Sequence, residues 1–408
     1  MVFSNFDICV VGGGMVGLCL TKQLSIKYGP ENIVLIDKEK ELGLHSSGRN
    51  SGVLHAGIYY KPNSLKADVC IEGAKRLKDW VLKKGLNINE CGKIIIPQDE
   101  KLDSELDLLL ERGKNNGAIV ELIDSQQLSE LEPQARSATN RALWSPGTCV
   151  VNPKQVVKEL ENEIRESGVQ VVLRKNRGGI TNINPNKNIV NFSDGTSLTY
   201  GFLFNCAGIH AKEIAENFNI GNEYETLPFK GLYWKVKSSS KVRPKRNVYP
   251  VPDLSMPFLG VHFTPDTNTP ANVYIGPTAT PALGRENYFG LEKLEPSIAF
   301  NTINTIARKY LLNKSSFRKY VHQQLFLIYK SNLIKSAQSL IPEITKSDIE
   351  LSEKVGIRPQ LYNKITGELE DDFICINGVS STHVLNAISP AFTASFALAD
   401  LVISRAAM

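Results

Sequence analysis

Phe6-Asp7-Ile8-Cys9-Val10-Val11 runs straight into Gly12-Gly13-Gly14-Met15-Val16-Gly17, and these residues decide the fold. The first six form a short apolar run rich in β-branched side chains, as a buried parallel strand requires. The glycines follow G-x-G-x-x-G. Gly12 allows a tight turn, Gly14 lets backbone approach a pyrophosphate, and Gly17 lets the next helix pack on the strand. Leu18 to Tyr28 keeps helical spacing, with Leu20 and Leu24 on one face, until Gly29-Pro30 stops it. Asn32 to Ile36 is a second apolar run, and it ends in Asp37, twenty residues beyond Gly17. An acid there accepts hydrogen bonds from a ribose, while the helix start offers unpaired N–H groups to phosphates. A lone glycine motif says little. Strand, glycines, helix, strand and acid in that order predict a βαβ dinucleotide site, with FAD or NAD preferred over NADP.

Beyond Asp37 and Lys38, residues 45–62 read HSSGRNSGVLHAGIYYKP. Small residues allow close approach of backbone to a ligand, and Ser46, Ser47 and Ser51 can donate to phosphate oxygens. The plainer alternative is a flexible Gly/Ser-rich loop.

Composition sets the outer limits. The 408 residues have room for two or three cores, and 47 basic against 42 acidic residues leave a net charge of +5. That surplus is too small to call for a nucleic-acid partner. At 42% hydrophobic and 22% charged residues the chain is not disordered. No apolar run approaches a membrane span, and the N-terminus does not read as a signal peptide. Seven cysteines without a CxxC pair point to a reduced, cytoplasmic protein with neither disulfide framework nor zinc.

The stretch HSSGRNSGVLHAGIYYKPNSLKA closely resembles the FAD-contacting segment of the L-2-hydroxyglutarate oxidase/dehydrogenase family, within the D-amino-acid-oxidase and glycerol-3-phosphate-dehydrogenase superfamily. The resemblance continues in Tyr249-Pro250-Val251-Pro252, in Pro257 to Pro265, and in Ile341-Pro342-Glu343-Ile344-Thr345. It ends with Gly356-Ile357-Arg358-Pro359-Gln360 and His383 to Ala391. It implies FAD as cofactor, held by Gly12, Gly14, Met15, Gly17, Asp37 and Lys38. Further contacts are implied at Ser46, Ser47, Arg49, Asn50, Ser51, Gly52 and Val53, then at Ala207, Gly208, Arg358, Ser389, Pro390, Ala391 and Phe392. Arg49 and Leu385 depart from the family pattern, which has histidine and arginine there, and both are expected near the flavin and substrate.

The implied reaction is oxidation of an L-2-hydroxy acid, most specifically L-2-hydroxyglutarate, by hydride transfer to flavin N5. Such chemistry needs a cation for the carboxylate, a base of near-neutral pKa and a dry pocket. Arg358 is the expected anchor, because superfamily members use the arginine of a similar Gly-x-Arg-Pro in that way and a planar fork suits a carboxylate. His55 is the first choice for the base and His262 the second. Tyr60, Lys230 and Tyr249 are candidates for a second carboxylate, and His383 for positioning the C-terminal loop. Two other readings stay open: an amine, amino-acid or glycerol-3-phosphate-type flavoenzyme, and a flavoprotein holding FAD structurally.

The expected architecture is α/β: a doubly wound Rossmann-type FAD domain plus an antiparallel-sheet α+β substrate domain. The FAD domain would comprise residues 1–80, 148–225 and 355–408, with 81–147 and 226–354 forming the substrate domain. Asn152-Pro153 starts a helix, Val169–Leu173 is a strand, and residues 188–198 form a hairpin about Ser193-Asp194-Gly195. Phe202 to Gly208 reads as a buried strand ending in small residues. Ser389 at the cap and Pro390 at the first helical position mark the last helix, whose positive end would stabilise charge on reduced flavin.

Between Arg308 and Pro342 the chain carries Arg308, Lys309, Lys314, Arg318, Lys319, Lys330 and Lys335 with no acid. Aromatic and leucine residues are interleaved. The segment is either a solvated helix face or a peripheral surface for the inner face of a membrane, where electrons could pass to a quinone rather than to oxygen or a flavoprotein.

Overall fold

Strand Val2–Val11 lies between two parallel neighbours, Ile33–Asp37 on one side and Ser197–Asn205 on the other. Gln170–Leu173 extends the sheet beyond Ile33–Asp37, also in parallel. The computed structural model describes residues 2–174, 178–252, 259–268, 271–313 and 317–408. Among these, the first sheet has eight strands, including the hairpin Ile180–Asn184 and Ile189–Phe192 and the pair Cys375–Gly378 and Ser381–Val384. The turn about Gly195 (φ 79°) brings Ile189–Phe192 antiparallel to Ser197–Asn205.

Among the described residues, helices Met15–Tyr28, Leu65–Lys83, Pro153–Glu166 and Ala391–Arg405 pack into one core on one face. Leu18, Leu24, Leu77, Trp80, Phe396 and Val402 interlock there in the principal core. Gly73 makes the closest approach: a Cβ on it would lie 2.5 Å from Ala394 Cα. Helix Pro153–Glu166 starts as expected, with the Asn152 side chain accepting from Lys154 and Gln155 N–H groups. The last helix starts differently. Pro390 is itself the cap residue, with no side-chain hydrogen bond, because the helical turn first closes at Ala391, and Ala394 N–H reaches Pro390 O at 2.9 Å.

The second sheet has ten strands among the described residues. Its spine is the long antiparallel pair Tyr224–Val236 and Ile349–Asn363. Val273–Gly276, His262–Pro265 and Asn247–Pro250 follow, then Lys93–Ile96, Arg141–Ser145 and Glu121–Asp124. The sheet is not wholly antiparallel: Asn247–Pro250 runs parallel to Lys93–Ile96. These strands come from the two separate chain segments, so no tight hairpin forces opposite directions on them. Strand Ile349–Asn363 runs through the expected boundary at residue 355, and the chain rejoins the first sheet only at Cys375. Ile94, Ile96, Val248, Phe263 and Ile275 face Leu333, Ile334 and Ala337 on one side. By strand alternation Lys93, Tyr249, His262 and Arg358 point to the other, where the first sheet stands.

The acid-free segment forms parts of helices Pro296–Leu312, Phe317–Leu327 and Lys330–Gln338. Lys309 is turned inward onto Glu368, and Lys314 lies outside the described residues. Among the described residues no helix is long and apolar enough to cross a membrane.

Candidate active site

A cavity of about 1190 Å³ runs between the two sheets, from Asp37 and Lys38 at one end to Arg358, His55 and His262 at the other. At the dinucleotide end the glycines behave as the sequence requires. Gly12 (φ 103°) lies against the Cys206 carbonyl with no space for a Cβ, and a Cβ on Gly17 would collide with the Gly12 carbonyl. Gly17 therefore packs helix on strand and does not border the cavity, whereas Gly12, Gly14 and Met15 do. Asp37 accepts from Gly13 N at 2.7 Å and Glu39 N at 2.8 Å, which fixes its carboxylate at the strand end facing the cavity.

The 45–53 loop is ordered by its own hydrogen bonds. Ser47 Oγ accepts from Met15 N at 2.8 Å, leaving its O–H proton to donate elsewhere. Ser46 does not present its proton to the groove: it donates to Ile357 O at 2.9 Å and ties the loop to the second sheet. Asn50 donates to Ser47 O and accepts from Gly52 N. Gly52 (φ 80°) shapes the turn without lining the cavity, while Ser51 and Val53 line it. Ala207, Gly208, Ser389, Pro390, Ala391 and Phe392 close the opposite wall. These features suit an adenosine diphosphate half with a ribose on Asp37 and phosphates over the helix start.

Arg49 and Leu385 part company. Arg49 lines the cavity, donates to Leu44 O at 2.9 Å and stacks its guanidinium 4.1 Å from the Tyr288 ring centroid. Leu385 lies in an apolar cluster with Ala211, Ala215 and Leu361, away from the cavity. The expectation that it neighbours the substrate fails because the strand before it buries it between packed elements. His383 is also structural: its Nδ1 meets Asn205 Nδ2 and its Nε2 meets Ser381 Oγ, both at 3.0 Å.

At the far end the sheet presents its chemistry. Arg358, opposite Phe229 on the neighbouring strand, lines the cavity; burial brings its pKa down to about 10, with Tyr320 and Tyr60 opposing. His55 follows strand Val53–Leu54, held by its N–H on Thr393 Oγ1 and by Cys70 on its carbonyl. Its Nδ1 is buried with no hydrogen-bond partner among the described residues, as is the Tyr59 hydroxyl. Burial, the Lys93 ammonium and His262 hold the His55 pKa well below its usual value. His262 Nδ1 lies 2.8 Å from Gly260 O. A carbonyl can only accept, so Nδ1 carries the proton and Nε2 the lone pair. Burial, with Lys93 adding to it, lowers His262 to about 3. Both imidazoles are therefore neutral at neutral pH. Tyr60 borders the same space; Tyr249 is stacked on His262; Lys230 also lines the cavity but donates to Asn287 Oδ1 at 3.0 Å. Of the Pro257–Pro265 stretch, Pro257 and Phe258 lie outside the described residues.

A family profile described as FAD dependent oxidoreductase (DAO) matches residues 7–405. The chain belongs to that family. Its cofactor is FAD, and it is an oxidoreductase. Relatives named L-2-hydroxyglutarate dehydrogenase match this DAO-family chain over nearly its whole length. The mitochondrial one from Caenorhabditis elegans is 34% identical, covering 98% of this chain and 93% of the relative. The human mitochondrial one is 33% identical, with 98% and 88% covered. That of Indibacter alkaliphilus is 32% identical with 98% of each covered. Among solved structures, the L-α-glycerophosphate oxidase of Mycoplasma pneumoniae with FAD bound shares the fold at TM-score 0.76 and 20% identity, covering 98% of this chain and 94% of that one. Glycine oxidase from Geobacillus kaustophilus shares it at TM-score 0.70 and 16% identity, with 98% and 94% covered.

Several residues of this DAO-family site carry no local sequence signal. Lys93 sits inside the apolar run Lys93–Ile96, 1% exposed, with Nζ 4.6 Å from the Tyr249 ring centroid and 5.2 Å from that of Tyr59. Asn116 binds the carbonyls of Gly57 and Tyr60, so helix Asp103–Asn115 holds the loop that presents the tyrosines. Glu286 pairs with Lys38, and His45 Nδ1 meets the Tyr288 hydroxyl at 2.8 Å, strapping the second sheet's chain over the ribose end. These contacts join residues far apart in the chain.

Proposed function

We propose that this enzyme oxidises L-2-hydroxyglutarate to 2-oxoglutarate. The observation carrying the reading is the meeting, at one end of an FAD-sized cavity, of Arg358 with two buried neutral imidazoles. The names of relatives at 32–34% identity supply the substrate. In this reading Arg358 holds the C1 carboxylate through its planar fork. His55 accepts the C2 hydroxyl proton, and its unpartnered buried Nδ1 marks where a polar ligand atom is wanted. His262 Nε2 is the alternative acceptor. FAD, held by Gly12, Gly14, Met15 and the 45–53 loop, would supply the hydride acceptor for C2. The first turn of helix Ala391–Arg405 lines the cavity and places partial positive charge there. Residues supplied by the first sheet form the cofactor part of the molecule, and those of the second form the substrate part.

The outer surface of helices 296–338 supports a peripheral membrane contact. Phe300, Leu311, Leu312, Leu325 and Phe326 are exposed beside exposed Arg308, Arg318 and Lys319. Co-sedimentation with vesicles containing anionic lipid, lost at high salt, is the expected result; no binding at low salt removes the idea.

The reaction is tested by anaerobic bleaching of the yellow holoenzyme with hydroxy acids, amino acids and polyol phosphates. L-2-hydroxyglutarate should bleach it fastest. Bleaching by an amino acid or polyol phosphate alone overturns the assignment.

A further inference from the structure

Lys66 stands in the first turn of helix Leu65–Lys83, where a lysine would ordinarily reach solvent. It is instead 7% exposed and borders the same cavity as Arg358. The turn is fixed: Leu65 and Lys66 N–H groups donate to Asp372 at 2.8 and 3.0 Å, and Ser64 Oγ accepts from Ala67 N. The side chain runs past two rings, with Nζ 5.9 Å from the Tyr60 centroid and 6.0 Å from that of Phe373. Among the described residues Nζ makes neither an ion pair nor a hydrogen bond. Burying an ammonium without a close anion is costly, and Arg358 adds like-charge repulsion. Asp371 and Asp372 offset this only from a distance, since the Asp372 oxygens are engaged by backbone. Lys66 Nζ thus shares a pocket with Arg358 and, among the described residues, has no carboxylate bonded to it.

We propose that Lys66 is the specificity-determining cation of this site, binding the carboxylate at the far end of a dicarboxylic substrate while Arg358 binds the one beside the reacting carbon. The assignment rests on the Arg358 anchor described under the proposed function. A diacid supplies the anion that the buried ammonium lacks, whereas a monoacid without the distal carboxylate leaves Lys66 facing a methyl group. The enzyme therefore selects dianions through a residue outside the reacting centre.

The test uses holoenzyme titrated with the unreactive acids glutarate and butyrate, followed by the flavin absorption change. Wild type should bind glutarate roughly 10-fold or more tighter than butyrate, as expected for one added charge-assisted hydrogen bond. Lys66→Met should abolish that preference and leave butyrate affinity unchanged, while Lys66→Arg retains most of it. With reactive substrates, Lys66→Met should raise KM for L-2-hydroxyglutarate alone, with kcat preserved. A wild-type enzyme without preference, or a Lys66→Met enzyme that keeps it or loses both ligands equally, overturns the proposal. The first of these needs no variant. Arg358→Met separates the two assignments, because it should weaken both acids; if it weakens neither, the anchor is wrong whatever Lys66 does.

Discussion

The phenol ring of Tyr249 lies flat on the imidazole of His262, with centroids 3.8 Å apart and planes 13° from parallel. Lys93 Nζ stands 4.6 Å from the same phenol. Burial brings Lys93 down to about 8, so it is charged at neutral pH, and its charge depresses both His55 and His262. Replacing Lys93 by Met removes that charge, so both imidazoles move up toward 6.5. The acid limb of the pH profile for flavin reduction should then shift upward. Anaerobic stopped-flow measurements carried from pH 8 down through the acid limb of the wild-type profile check this, and an unmoved limb shows that Lys93 acts by packing alone.

His55→Ala should slow flavin reduction by about 10²–10⁴-fold, the range for loss of a general base. FAD content should not change, because none of the loop's cofactor-side hydrogen bonds uses that side chain. If His262→Ala instead gives the larger loss, the proton goes to His262 Nε2.

For Arg358→Lys a compact ammonium replaces a planar fork. KM for carboxylate substrates should rise by roughly 10-fold or more. Steady-state kinetics with an unchanged KM would falsify the anchor.

The dicarboxylate preference should itself depend on pH. Lys66 is lowered to about 7 by burial and then by Arg358, against Asp371, Asp372 and Cys70. It gains charge as pH falls through that value. The glutarate-to-butyrate affinity ratio should therefore be largest below about pH 7 and shrink above it, as titrations at pH 6 and 8.5 will reveal.

Gly73→Ala places a methyl group 2.5 Å from Ala394 Cα, and backbone cannot yield as a side chain can. Helices Leu65–Lys83 and Ala391–Arg405 must part, at a cost of about 1–3 kcal/mol. A lower urea midpoint is the expected readout.

What the sequence determined by itself is the dinucleotide half. Strand, glycine turn, helix and Asp37 are adjacent in the chain, and each depends on local geometry that a residue's own size or charge reveals. The segment from His45 to Tyr60 and the Gly-x-Arg-Pro run stood out through their family resemblance, because each motif lies in unbroken order along the chain. Tertiary structure alone decided which of these meet. Leu385 left the site and joined a core, Ser46 turned its hydroxyl to Ile357, and Pro390 became the cap of the last helix. Lys66 and Lys93 read as ordinary lysines until strand and helix packing removed water from around them. Their function follows from burial, and burial is a property of what the distant chain places over a residue. The G-x-G-x-x-G run is a local feature of the chain; the charge that the other end of the cavity accepts depends on Arg358 of the second sheet and Lys66 of a helix on the first, which only folding brings together.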